Sequence, residues 1–136
     1  MNTDSYTDEQ IKEILLLKKV AVVGMSQNPQ KDAHQVPKYL AENNYDIIPV
    51  NPHAKEILGK KSYPKISDVP ESIDIVDVFR PSDQVFPIIQ DAITKKPKVI
   101  WLQEGIHNEE AEQLAQNAGI KVIFNRCMLA EHRRLF

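Results

Sequence analysis

Hydrophobic and polar positions along the chain switch between a helical and a strand spacing. Residues 6–17 carry Ile11, Ile14, Leu15 and Leu17 as an apolar face. Thr7, with Gln10 three residues on, has the pattern of a capping box, in which side chains and backbone satisfy each other's free groups. A continuous strand over 14–17 is the weaker alternative. The run Val20-Ala21-Val22-Val23, closing at Gly24, is apolar without alternation and reads as a strand buried on both faces. A helix follows over 33–43, with Val36, Tyr39 and Leu40 on one side and Pro37 near its first turn, the place where a missing N–H is tolerated. Residues 46–50 form a second strand, and Pro49 within it suggests edge-like or irregular pairing. Residues 51–70 are irregular, with a single turn at Ser67-Asp68-Val69-Pro70. A third strand covers 74–79. A helix starting at Pro81 or Ser82 runs to about Lys95, with Val85, Ile88, Ile89, Ala92 and Ile93 inward. The fourth strand is 98–102. Asn108 caps a helix through about Ala118, Glu109 and Glu110 suit its first turn, and Gly119 stops it. The fifth strand is 121–124, and residues 125–136 leave room for one last helical turn.

Five apolar strands separated by helices predict an α/β fold: a Rossmann-like, doubly wound, mainly parallel five-stranded sheet with helices on both faces. The expected strand order is 3-2-1-4-5. Such sheets hold ligands over the C-terminal ends of their strands, here at the switch between strands 1 and 4. With no repeat, low-complexity tract or linker, residues 1–136 read as one domain, with 1–18 as a helical extension and 125–136 as a tail.

Composition narrows the partners. The 136 residues include 17 Lys and Arg against 19 Asp and Glu, a net charge of −2, which argues against a nucleic-acid or anionic-membrane surface. A small anionic ligand still suits locally gathered basic residues. One cysteine excludes an internal disulfide framework and a cysteine-cluster zinc site. His34, His53, His107 and His132 are scattered without ligand spacing, so no metal is expected. The polar, acidic N-terminus lacks the basic and apolar regions of a signal peptide, and the longest apolar run is far too short to cross a bilayer; the expected compartment is the cytoplasm.

The strand-end rule selects the residues with chemistry to offer. Gly24 lets a phosphate approach the backbone, the following helix offers free N–H groups, Ser26 adds a hydroxyl and Lys31 a charge. Ser26 and Pro29 replace the later glycines of G-x-G-x-x-G, and the loop also reads as a plain turn. Asn51-Pro52 ends strand 2 where a dinucleotide enzyme carries an acid for the ribose diol, which counts against NAD; it too reads as turn chemistry. His53, Lys55, Lys60 and Lys61 follow as phosphate contacts or a solvated face. Arg80 serves a phosphate bidentately or pairs with Asp77 or Asp83. Phe79 and Trp101 are more often core than ligand stackers. Glu104 is a general base or a carboxylate bonded to the next turn. Cys127 is a thiol lowered by Arg126 or a buried inert cysteine.

Taken in order, Val22-Val23-Gly24-Met25-Ser26, Pro49-Val50-Asn51-Pro52, Asp77-Val78-Phe79-Arg80-Pro81, Trp101-Leu102-Gln103-Glu104-Gly105-Ile106 and Asn125-Arg126-Cys127 resemble the small stand-alone CoA-binding proteins. Their domain is similar to the N-terminal part of the succinyl-CoA synthetase α subunit and of ADP-forming acyl-CoA synthetases. The resemblance covers about residues 10–130. It implies that Gly24, Ser26, the backbone of Met25, and Gln27 cradle the CoA phosphates. It further implies that Asn51 and Pro52 lie along the adenosine, and that Phe79, Arg80, Pro81, Glu104 and Gly105 flank the ligand. The chain departs from the synthetase pattern after Asn51-Pro52, where His53-Ala54-Lys55 stands in place of Gly-Lys.

The resemblance thus implies binding of coenzyme A or an acyl-CoA, and no catalytic residue is assigned. The related synthetases ligate with a phosphorylated histidine and a nucleotide-grasp domain that these residues do not contain, so ligation by this chain alone is not expected. A carrier, a sensor or an accessory subunit of an acyl-CoA synthetase remain open, the last docking through the N-terminal helix to a protein partner; an NAD(P)-binding redox protein is the rival. A mixed disulfide between Cys127 and the CoA thiol is a further expectation.

Overall fold

A computed structural model describes residues 3–136; Met1 and Asn2, which open the polar N-terminal stretch, lie outside the described residues. The chain runs α1 (Asp8–Leu15), β1 (Lys19–Val23), α2 (Asp32–Glu42), β2 (Asp46–Val50), a small hairpin of β3 (Glu56–Ile57) and β4 (Lys60–Lys61), β5 (Ile75–Val78), α3 (Val85–Ile93), β6 (Val99–Leu102), α4 (Glu109–Asn117), β7 (Lys121–Ile123) and α5 (Met128–Leu135). Short 3-10 turns at Ile66–Asp68 and Ser82–Gln84 precede β5 and α3. The C-terminal segment holds more helix than the single expected turn, because Met128 anchors α5 in the core. Among the described residues no helix is long and apolar enough to cross a membrane.

The main sheet is parallel, in the order β2-β1-β5-β6-β7. Counting only its five strands, this is 2-1-3-4-5, which corrects the expected 3-2-1-4-5. Two features explain the difference. All four residues of β5 are buried, as a central strand requires. Pro49 makes β2 suited to the edge: its carbonyl faces outward and accepts from the Tyr63 N–H at 3.1 Å, so the absent proline N–H costs no ladder bond to β1. The switch point therefore lies between β1 and β5, which puts Gly24 beside Phe79 and Arg80 rather than beside Glu104.

Two apolar layers sandwich the sheet. On one face, α3 and α4 contribute Val85, Ile89, Ala92, Ala111 and Ala115 to a core with Val76, Val78 and Ile100. On the other, α1, α2 and α5 pack Ile11, Leu15, Val36, Leu40 and Met128 over Val20, Val22, Ile75 and Trp101. The apolar face of α1 is thus buried in this layer, not presented for docking. Its capping box is formed, the Gln10 N–H donating to Thr7 Oγ1 at 3.3 Å and the Thr7 N–H to Gln10 Oε1 at 2.9 Å. The segment is also strapped down by charge, since Arg126 reaches Asp4 Oδ1 at 2.9 Å and Asp4 Oδ2 at 3.1 Å.

Pro37 sits in the second turn of α2 and cannot donate to the Ala33 carbonyl four residues back. That carbonyl accepts instead from the Ser26 N–H at 3.1 Å. The helix defect thereby fastens the β1–α2 loop to the start of the helix.

Candidate functional site

The site forms where β1 and β5 diverge. Gly24 has φ +80°, the left-handed region that glycine enters without steric cost, and its N–H continues the ladder to the Val50 carbonyl at 3.0 Å. After it the chain folds on itself. Met25 is fully buried in the core and takes part only through its carbonyl, which accepts from Asn51 Nδ2 at 2.9 Å. Ser26 Oγ accepts from the Asn28 N–H at 3.0 Å, and the Ser26 carbonyl accepts from His34 Nδ1 at 2.7 Å. The Ser26 hydroxyl hydrogen stays available to a ligand, whereas its N–H does not. Gln27 leans away, donating to the Glu56 carbonyl at 3.2 Å.

Other predicted residues separate into two groups. Asn51 is engaged at both ends of its amide, the Oδ1 accepting from the His53 N–H at 2.8 Å. Pro52, His53 and Lys55 are exposed in the turn beyond it, and Lys31 is exposed at the cap of α2. By contrast Phe79, Arg80, Pro81, Glu104 and Cys127 share one groove of about 300 Å³ with Asp32, Val36, Gln103 and Ile106. Gly105 turns the chain beside it with φ +85°, its N–H donating to Asn125 Oδ1 at 2.7 Å.

Charge in this groove is unevenly matched. Arg80 pairs with neither Asp77 nor Asp83; its Nε and Nη2 both donate to the neutral Gln84 Oε1, at 3.1 and 2.5 Å. Its positive charge is therefore uncompensated among the described residues, and Gly24 lies against its side chain. The N–H groups of Asp32 and Ala33 at the start of α2 have no carbonyl partner among the described residues, as helix geometry requires. An arginine, a hydroxyl and open helix N–H groups around a glycine turn fit an anionic group such as a phosphate. Further along, the carboxylates of Asp32 and Glu104 replace positive charge and suit neutral polar donors instead.

Beneath the groove lies a buried polar chain that the sequence reading did not pick out as a site. Asp77 is wholly buried in β5; its Oδ1 accepts from Gln103 Nε2 at 2.5 Å and its Oδ2 has no hydrogen-bond partner among the described residues. Gln103 Oε1 in turn accepts from the Met128 N–H at 3.2 Å, which fixes the start of α5. Burial pushes the Asp77 carboxyl up to about 7, the Gln103 hydrogen bond only partly opposing it. The sequence signal was a lone acid inside an otherwise apolar strand.

Cys127 is half-buried at the cap of α5. Burial pushes its thiol up; the N–H groups of Ala130 and Leu129 draw it down, and the carboxylates of Asp77 and Glu104 push it up again. Arg126 is not the residue that tunes it, because that guanidinium is held by Asp4. Trp101 is core, its Nε1 donating to the Arg126 carbonyl at 2.8 Å. Among the described residues no group of three or more His, Cys, Asp and Glu is placed to hold a metal ion.

On the opposite face of the sheet, Val23, Val50, Pro64, Ile66, Pro87 and Ile88 line an apolar slot of about 220 Å³, with Lys65 and Asp91 at its margin. The two recesses flank the same switch point.

Residues 18–133 match the family model described as a CoA binding domain. The chain is 40% identical over 124 residues to the uncharacterized protein YneT of Bacillus subtilis (strain 168), covering 90% of this chain and 92% of that one. It is 30% identical over 113 residues to the ADP-forming acetate–CoA ligase II of Archaeoglobus fulgidus; the match takes in 82% of this chain and only 17% of the ligase. A hypothetical protein from Pyrococcus horikoshii OT3 superposes with a TM-score of 0.94 at 45% identity, over 96% of this chain and 93% of that one.

Proposed function

Because the chain belongs to the family of CoA-binding domains, we propose that it binds coenzyme A or an acyl-CoA across the β1–β5 switch point and performs no ligation of its own. The observation that carries this reading is the uncompensated Arg80 guanidinium set against the Gly24 turn. Coenzyme A carries a pyrophosphate, a 3′-phosphate, an adenine and a neutral pantetheine arm. The phosphates are assigned to Arg80, the Ser26 hydroxyl and the open N–H groups of α2, where charge-assisted bonds are strongest. Lys31 and Lys55, exposed on the adjoining turns, reinforce them over a longer range, and His53 stands beside Lys55 as a neutral hydrogen-bonding side chain. The adenine is assigned to the apolar slot between Val23, Val50 and Ile66, which suits a flat ring.

The pantetheine arm is assigned to the groove past Phe79, Pro81 and Gly105 toward Cys127. Asp32 and Glu104 accept hydrogen bonds from its amides and hydroxyl, and both disfavour an acyl group that ends in a free carboxylate. The chain's role is then capture and presentation of the ligand. The groove's described lining contains no histidine to carry a phosphoryl group.

Calorimetry with CoA, dephospho-CoA and NAD at fixed ionic strength tests the reading. The expected result is micromolar binding of CoA, weakened by loss of the 3′-phosphate, and none of NAD. Binding of NAD without CoA would replace it with a redox reading.

A further inference from the structure

The recess assigned to the pantetheine arm does not stop at the sulfur end of that arm. A second groove, of about 440 Å³, opens from it between α2 and α5, and the two share Asp32, Val36 and Cys127. We infer that this second groove is an acyl site, and that the ligand it selects is a thioester of coenzyme A with a neutral, straight acyl chain of about four to six carbons. The coenzyme part of this ligand rests on the function proposed above, which the acyl group deepens into a substrate class.

Continuity gives the acyl chain its path. With the pantetheine arm laid past Phe79 and Pro81, its sulfur comes to the residues that the two grooves share. A group attached to that sulfur then either enters the second groove or projects into water. The groove runs along α2, where Asp32, Val36 and Tyr39 follow at helical spacing on one stripe. Leu129 and Arg133 of α5 supply the opposite wall.

The lining decides the chemical class. Val36 belongs to the core, and Tyr39 and Leu129 are partly buried against the same layer, so their remaining surface gives the groove an apolar floor. Such a floor favours methylenes, which lose contact with water on it. Two acids, Asp32 and Glu42, and two bases, Lys38 and Arg133, stand around it, so the lining has no net charge with which to select an ionised acyl group.

A tie between the helices sets the length. The Tyr39 hydroxyl meets His132 Nδ1 at 2.8 Å, and the Arg133 guanidinium lies over the Tyr39 ring, 5.1 Å from its centre, so α2 and α5 are joined at that level. From Cys127 to Arg133 is about 9 Å along α5 at 1.5 Å per residue, roughly the reach of an extended six-carbon chain.

The test is calorimetry of the full chain, under reductant, with CoA and its acetyl, butyryl, hexanoyl, decanoyl and succinyl thioesters. Hexanoyl-CoA should bind at least about tenfold more tightly than acetyl-CoA, at about two- to fourfold per methylene. Decanoyl-CoA should gain no more than about twofold over hexanoyl-CoA, because its extra carbons pass the Tyr39 tie and stay in water. Succinyl-CoA should bind more weakly than butyryl-CoA, which has the same number of acyl carbons. Leu129→Gln puts an amide on the floor and should cut the gain from acetyl to hexanoyl to less than about threefold. If that variant does not melt cooperatively, Leu129→Ala is measured in its place and should cut the gain at least about twofold. Binding of CoA with equal affinities for acetyl- and hexanoyl-CoA would overturn the acyl site and leave the binding reading standing. A gain that continues undiminished to decanoyl-CoA, or persists in the Leu129 variant, would overturn it too, since the chain then lies elsewhere. Succinyl-CoA bound as tightly as butyryl-CoA would overturn the neutral class. No binding of CoA or of any thioester would overturn the function proposed above, and the acyl site with it.

Discussion

A β-carbon on Gly24 would stand 2.9 Å from the Phe79 carbonyl oxygen and 2.8 Å from Arg80 Cδ. The ends of β1 and β5 approach so closely that the turn has room only for hydrogen, and the backbone there also needs a positive φ. Gly24→Ala should therefore destabilise the fold by about 1–3 kcal/mol from backbone conformation alone, with the clash adding to it. A urea titration with unchanged slope and a lowered midpoint checks this. Because the clash displaces Arg80, the variant should also bind CoA more weakly than its stability loss explains.

Arg80 itself is exposed and bonded only to Gln84 among the described residues, so Arg80→Ala should leave the thermal midpoint almost unchanged. The same change should weaken CoA binding by about ten- to a hundredfold, the range expected for a charge-assisted contact of ~1.5–3 kcal/mol. Dephospho-CoA, titrated alongside, tells which phosphate is served. A smaller loss for dephospho-CoA assigns Arg80 to the 3′-phosphate; an equal loss assigns it to the pyrophosphate.

Asp77 makes stability depend on pH. Its carboxyl titrates near 3.8 when unfolded and about 7 when folded, so the folded state holds the proton more tightly. Stability is greatest below the unfolded value and falls as pH rises from about 4 through about 7, by on the order of 4 kcal/mol over that interval for this group alone. Asp77→Asn keeps an acceptor for Gln103 and has no proton to lose. Denaturant midpoints measured at intervals from pH 5 to 8 should decline for the wild type relative to the variant, by roughly 1 kcal/mol per pH unit. Parallel curves would show that the carboxyl finds solvent or a partner when it ionises.

Asp4 and Arg126 lie 122 positions apart and form an almost fully buried pair, with Asp4 also accepting from the Phe124 N–H at 3.1 Å. Asp4→Ala should cost on the order of 3 kcal/mol, because it leaves a mostly buried guanidinium only the looser Glu131 carboxylate at 3.8 Å and strands a backbone donor. The double change Asp4→Leu with Arg126→Met should recover part of that loss in thermal unfolding. The order of the two midpoints distinguishes a stranded charge from a lost strap.

Much of the fold and part of the site were legible before the structure. The capping box of Thr7 and Gln10, the stop at Gly119 and each main-sheet strand follow from groups a few residues apart, whose geometry is set by the chain between them. Pro49 announced an edge strand, and β2 is one. Gly24, Phe79, Arg80 and Glu104 were nominated by the rule that strand ends bear ligands, and the fold gathers the last three into one groove against the Gly24 turn. Asn51 shows the limit of that rule. A strand-end amide suits a ligand or the protein's own backbone equally well, and the structure satisfies both of its ends internally.

The sequence by itself determined which segments are helix and strand, and that the sheet is parallel and covered on both faces. These follow from periodicity and composition, which are local quantities. Only the tertiary structure decided the strand order, since burial on both faces says that β5 is central but not which strand it joins. It also decided that Ser26 answers the carbonyl freed by Pro37, that Arg126 belongs to Asp4, and that Asp77 reaches α5 through Gln103. Each of these is a choice of partner for a polar group. A polar group accepts whatever donor or charge packing brings within about 3 Å, and that neighbour is settled by the closure of the whole sheet.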